Sequence, residues 1–207
     1  MLLNADDSQL VLVDYQARLM PVIFENERVL ANAVRLARMA QLLQVPVWAT
    51  EQTPDKLGPT VPAVLAAIDT AGGKTLAKAH FSAVADGLGD WLRPPVRKPT
   101  MGGNARSLPK HLQKAAPEAE QGRGTIVIAG CEAHVCLLQT ALDLFEEEFD
   151  VWVVTDACSS RSERNRDAAF DRLAGNGAEL VTTEMVAFEW MGSAEHPAFK
   201  EVLGLIK

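Results

Sequence analysis

Three short runs of this chain, Gln9–Val13 (QLVLV), Thr125–Ala129 (TIVIA) and Val151–Thr155 (VWVVT), are apolar at consecutive positions instead of alternate ones. A strand that shows one face to water alternates apolar and polar side chains, so strands like these call for cover on both faces. Helical patterns lie between them. Asn26–Leu43 repeats apolar residues at Val29, Leu30, Ala33, Leu36, Ala37, Ala40 and Leu43, and Val135–Phe149 does so at Val135, Leu138, Leu142, Phe145 and Phe149. These spacings mark one helix face. Further strands are expected over Val45–Thr50, Lys74–Phe81 and Ala178–Thr182. Helices are expected after Thr60-Val61-Pro62, over Ala83–Leu92, over Arg161–Ala174 behind a Ser160/Glu163 capping box, and over about His196–Lys207. Strands alternating with helices predict an α/β fold, a mostly parallel central sheet between two helical layers. The 207 residues, 48% hydrophobic, suit a single domain over 1–207. The stretch 94–124, rich in Pro and Gly and without periodicity, is expected as a long irregular loop within it.

The net charge of −7 is the opposite of a nucleic-acid footprint and does not favour anionic membranes. No apolar run reaches the roughly 20 residues that span a bilayer. The opening MLLNADDSQLVLVDYQ lacks a basic segment ahead of an apolar one, unlike a secretory leader. Three cysteines make an odd and sparse set, which predicts reduced thiols and a cytoplasmic setting.

In open parallel sheets, ligands bind beyond the carboxyl ends of the strands. The residues expected there are Asp14, Glu51, Gln52, Lys78, the turn 130–136 and Asp156. The turn GCEAHVC holds two of the three cysteines. Cys136 falls in the first turn of the expected helix, where unpaired N–H groups and the helix dipole depress a thiol pKa and can hold an oxyanion. The position suits a nucleophile, and it also suits a small core residue. A structural zinc would need four ligands, and His134 is the one nearby imidazole, so no metal is expected. Cys131, directly after a strand, reads as packed core. Asp14 is either functional or a turn residue. Lys78, between two alanines, either snorkels to solvent or pairs with a buried carboxylate. His80 is a candidate base or a surface histidine, and Trp48 and Trp152 read as core.

The stretches LVDYQ, LLQVPVWATEQTPDKLGPTVP, LAKAHFS, AGCEAHVCLLQTALDL, DACSSRS and HPAFKE, in this order, resemble the isochorismatase-like cysteine hydrolases, and most closely their isochorismatase-domain-containing branch. The resemblance covers nearly the whole chain. It implies a three-layer α/β/α sandwich and a catalytic triad of Asp14, Lys78 and Cys136. It implies a non-proline cis peptide between Glu132 and Ala133, and an oxyanion hole from the backbone N–H groups of Ala133 and Cys136. By this resemblance Cys136 attacks an amide-type carbon of a small molecule and Asp14 serves as base, with no cofactor. Gln16, Gln52, Phe81 and His134 flank these positions and are the candidate substrate contacts. The nicotinamidase branch binds a metal through an Asp and two His near the second strand. The segment ATEQTPDKLGP has no histidine, so neither metal nor nicotinamidase activity is expected. True isochorismate hydrolases lack a cysteine nucleophile at this position, which argues against isochorismate as substrate. Members commonly form homo-oligomers.

Overall fold

The computed structural model describes residues 1–93 and 122–207. The loop expected over 94–124 therefore lies outside the described residues, apart from its last three. Among the described residues six strands form one sheet: β1 (Ser8–Val13), β2 (Val47–Gln52), β3 (Lys74–Lys78), β4 (Thr125–Gly130), β5 (Asp150–Val154) and β6 (Glu179–Val181). Their order is β3-β2-β1-β4-β5-β6, and every neighbouring pair is parallel. All residues of β1 and β4 are buried, as the apolar runs Leu10–Val13 and Ile126–Ala129 require.

Helices α1 (Asn26–Leu42), α2 (Pro54–Leu57), α3 (Pro62–Thr70), α4 (Leu88–Leu92), α5 (Leu138–Glu146), α6 (Glu163–Gly175), α7 (Thr183–Met191) and α8 (Phe199–Ile206) complete the described fold. α1 packs with α3, α7 and α8, whereas α5 packs with α6 and with the 3₁₀ turn Val84–Asp86. Two helical layers thus enclose the sheet, and the molecule is a three-layer α/β/α sandwich. The core runs through both sides of the sheet, with Leu10, Leu12, Leu36 and Ile68 among its fully buried side chains, along with Ile126, Ile128, Leu137 and Leu144.

Several boundaries differ from the expected ones for local reasons. β3 ends at Lys78, because the chain then turns to wrap that side chain. The helix expected over Ala83–Leu92 is split at Gly87, whose φ of 94° breaks the helical path. The cap of α6 is Ser162, whose hydroxyl accepts from the Asn165 N–H, so the Ser160/Glu163 capping box does not form. Ser160 instead holds His134. Thr60 is bound to Glu51 and does not cap α3. Trp152 is buried as expected, while Trp48 is only partly so and donates to Gln9.

β1 and β4 are the central pair, and the strand order runs outward from them in opposite directions. Their carboxyl ends form the switch point where such sheets bind ligands. The two strands meet tightly there. Gly130 has a φ of 152°, and a Cβ on it would lie 2.3 Å from the Val13 carbonyl oxygen. Only glycine lets Cys131 N–H donate to that oxygen at 3.0 Å.

Candidate active site

Asp14 leaves β1 in the left-handed region, with φ 54°, a conformation aspartate tolerates better than most residues. Its backbone N–H donates to Thr50 O at 3.1 Å, and its side chain turns inward with no exposure. Oδ1 accepts from Thr50 Oγ1 at 2.6 Å, and Oδ2 lies 2.8 Å from Lys78 Nζ. Among the described residues Oδ2 is held by the charge of the ammonium and accepts no well-directed hydrogen bond. Lys78, at the end of β3, is also fully buried in its side chain. Its ammonium donates to Gln52 Oε1 at 2.6 Å, Phe81 O at 3.1 Å and His80 O at 3.3 Å. Of the two fates open to this lysine, the structure takes the buried pair.

Gln52 links this pair to the cysteine. The Cys136 thiol points at Gln52 Oε1 across 3.9 Å, while Gln52 Nε2 donates to Ala79 O at 2.7 Å. Asp14, Lys78, Gln52 and Cys136, from four separate segments, therefore share one buried cluster. Burial first, and then the negative charge of Asp14, push the Cys136 thiol up to about 12, against a smaller downward pull from Lys78. This reverses the depressed pKa expected from the helix N-terminus. The turn Ala133–Leu137 is a π-helical turn ahead of α5, and its dipole is outweighed by desolvation and the neighbouring carboxylate.

The turn itself corrects two further expectations. The cis peptide joins Cys131 to Glu132, one bond earlier than the expected Glu132–Ala133. Cys131 is still in β register, bonded to Val13 O, so the chain reverses immediately after it. The Ala133 N–H donates to Ser159 O at 2.8 Å and is spent. Among the described residues, the N–H groups of Glu132 and His134 have no hydrogen-bond partner, and that of Cys136 has none outside its own turn.

The flanking residues separate into two kinds. Gln16 is fully buried with both ends of its amide in use: Oε1 accepts from Gln52 N, and Nε2 donates to Gln52 O and Gly58 O. It is a fully buried bracket between β1 and β2. Phe81 has an exposed ring, and its carbonyl serves Lys78. His134 is partly exposed, with Nδ1 2.9 Å from Ser160 Oγ. His80 is exposed and paired with Asp86, facing away from the role of a buried base. Cys131 and Cys158 are buried free thiols. No group of three or more His, Cys, Asp or Glu among the described residues is placed to hold a metal. The sequence did not reveal Thr50 or Thr60, whose hydroxyls find their carboxylates only in the fold, nor the carbonyls of residues 79–81, whose roles depend on backbone position.

The model of the isochorismatase domain matches residues 8–185. The chain belongs to the isochorismatase family. Human isochorismatase domain-containing protein 2 is 37% identical over 200 residues, covering 97% of this chain and 83% of the relative. Among solved structures, one described as the MAR1 ribonuclease of Caenorhabditis elegans superposes with a TM-score of 0.82 at 30% identity, covering 100% of this chain and 92% of that one. YcaC of Pseudomonas aeruginosa, described with hexane-2,5-diol and covalent acrylamide, gives a TM-score of 0.77 at 24% identity, covering 99% and 91%. The isochorismatase family is of hydrolase type, and the three-layer fold of this member is the fold of those neighbours.

Proposed function

We propose that the chain is a cysteine hydrolase that cleaves an amide-type C–N bond of a small molecule with the triad Asp14, Lys78 and Cys136. The observation that carries this reading is the buried Asp14–Lys78 pair set beside the Cys136 thiol at the switch point of the sheet. A thiol raised to about 12 is protonated at neutral pH, so it needs a base in contact with it at the moment of attack. Asp14, whose carboxylate bears directly on the thiol, supplies that base. In the proposed sequence the Cys136 sulfur bonds to the carbonyl carbon while Asp14 takes the thiol proton. The tetrahedral oxyanion then collapses, the C–N bond breaks, and Asp14 returns the proton to the leaving amine. Water attacks the thioester, again losing a proton to Asp14, and the carboxylic acid and free thiol are regenerated. The Lys78 ammonium favours the negative charge that develops at the sulfur, in line with its downward pull on the thiol. The oxyanion is held by Cys136 N–H together with that of Glu132 or His134, since Ala133 N–H is bonded elsewhere. Gln52, His134 and the exposed ring of Phe81 are the proposed substrate contacts. The protein is proposed to act as a cytoplasmic homo-oligomer.

The covalent acrylamide described for YcaC suggests the probe. Acrylamide is expected to label Cys136 at pH 8 while Cys131 and Cys158 stay unlabelled, as read by peptide mass spectrometry. A panel of amides, ureides and carbamates is then expected to yield a substrate whose turnover disappears in Cys136→Ala. Persistence of that turnover in Cys136→Ala would falsify the scheme. The name of the nematode neighbour raises RNA as a second substrate class. With a net charge of −7, the chain is expected to leave a labelled single-stranded RNA unshifted and uncleaved at about 0.15 M salt. Cleavage that is lost in Cys136→Ala would move the substrate class to RNA.

A further inference from the structure

Beyond the triad, the segment 79–86 carries a second arrangement that acts on the same centre. The Asp86 carboxylate accepts from two consecutive backbone N–H groups: Oδ2 takes Ala79 N–H at 3.0 Å and His80 N–H at 2.9 Å. Oδ1 meets His80 Nδ1 at 3.1 Å. Each peptide unit is planar, so fixing an N–H also fixes the carbonyl of the residue before it. The plane that carries Ala79 N–H carries Lys78 C=O, which accepts from Thr53 N at 2.9 Å beyond the end of β2. The plane that carries His80 N–H carries Ala79 C=O, which accepts from Gln52 Nε2 at 2.7 Å. An amide side chain has a donor end and an acceptor end. With its NH₂ held by Ala79 O, Gln52 presents its oxygen to Lys78 Nζ at 2.6 Å and to the Cys136 thiol at 3.9 Å.

We propose that Asp86 is a positioning residue that, through the Ala79 carbonyl, sets which end of the Gln52 amide faces Lys78 and Cys136. It touches no reacting atom. With the amide reversed, an NH₂ group would face the Lys78 ammonium, donor against donor, and drive it from its place beside Asp14. Burial acts to raise the Asp86 carboxyl, but the bonds from His80 and Ala79 outweigh it and hold the group below the usual carboxylate range, so the carboxylate is charged at neutral pH. The inference rests on the proposed cysteine chemistry for its consequence, though not for its geometry.

The test uses the full chain as wild type, Asp86→Ala and Asp86→Asn, with two readouts. The first is hydrogen exchange at the Gln52 side-chain amide by ¹⁵N NMR, which does not depend on any reaction. Exchange is expected to quicken in Asp86→Ala. The second is the iodoacetamide rate at each cysteine from pH 7 to pH 10, by peptide mass spectrometry. Cys136 is expected to slow about tenfold across the range in Asp86→Ala, while Cys131 and Cys158 keep their rates. Asp86→Asn, which keeps one acceptor oxygen, is expected between the two, and it decides the matter if Asp86→Ala does not fold. An unchanged Gln52 exchange overturns the proposal. So does a slowed Cys136 matched by faster Cys131 and Cys158, since that is general loosening of the fold. If wild-type Cys136 reacts no faster than the other two cysteines, the proposed function fails and Gln52 exchange alone decides the role of Asp86.

Discussion

At the scale of single residues, the Lys78 ammonium and Asp14 carboxylate sit 2.8 Å apart with no solvent on either side chain. A buried pair of this kind gives modest net stability when intact, because both charges were desolvated to make it. Removing one partner is another matter, as the survivor is left charged and unmatched. Lys78→Met is therefore expected to lower the unfolding free energy by about 3–5 kcal/mol in urea denaturation. The double variant Asp14→Asn with Lys78→Met is expected to recover part of that loss, which a double-mutant cycle would read. A double variant whose loss equals the sum of the Asp14→Asn and Lys78→Met losses would show that the pair is not coupled. The same residue scale explains what the sequence hid. The position of Cys136 ahead of a helix is visible in the sequence and argues for an acidic thiol. The carboxylate that opposes ionisation comes from β1, more than a hundred residues away, and no spacing rule brings it to the sulfur. Likewise Gln16 and Gln52 look alike in sequence, yet one is fully spent in brackets and the other faces the centre.

At the scale of elements, β1 and β4 close tightly on each other at Gly130. A Cβ at residue 130 would lie 2.3 Å from Val13 O and 2.6 Å from Val13 Cβ. The neighbour is backbone in a central strand and cannot move aside cheaply. Gly130→Ala is expected to cost on the order of 3 kcal/mol by strained backbone and overpacking, and to slow Cys136 labelling because the turn hangs from this junction. A melting temperature equal to wild type would refute this. The elements the sequence predicted well are those whose local pattern is decisive: β1, β4, β5 and α1 are apolar in runs or at helical spacing. α7 was not anticipated. Its sequence, TEMVAFEWM, has polar residues without a clear stripe, and its burial of Val186, Ala187 and Trp190 is set by packing with α1 and α8. The Ser160 reading of the α6 cap failed for a related reason, since Ser160 and Ser162 offer the same hydroxyl and only the path of the chain selects one.

At the scale of the whole molecule, the buried thiols make stability depend on alkaline pH. Burial raises Cys158 to about 12, as burial and Asp14 do for Cys136, and Cys131 and Tyr15 are also raised, mainly by burial. In an unfolded chain these thiols ionise near ~8.5. A group whose folded pKa lies above its unfolded value contributes stability in full below the unfolded pKa and loses it as pH rises toward the folded one. The melting temperature is thus expected to hold steady to about pH 8 and fall continuously between ~8.5 and about 12. A flat profile through pH 10 would show that the thiols are no more buried than in the unfolded chain.

The sequence alone determined the fold class, because strands apolar on both faces leave a covered parallel sheet as the arrangement that keeps them from water. It also placed Asp14, Lys78 and the turn that holds Cys136 on the carboxyl side of the sheet, since chain order and element type are local properties. Tertiary structure alone decided that their side chains meet in one buried cluster, that Gln52 joins them, that Ala133 N–H is spent on Ser159, and that the thiol is hard to ionise. Each of those outcomes depends on distances and desolvation between segments far apart in the chain, and a one-dimensional pattern carries neither.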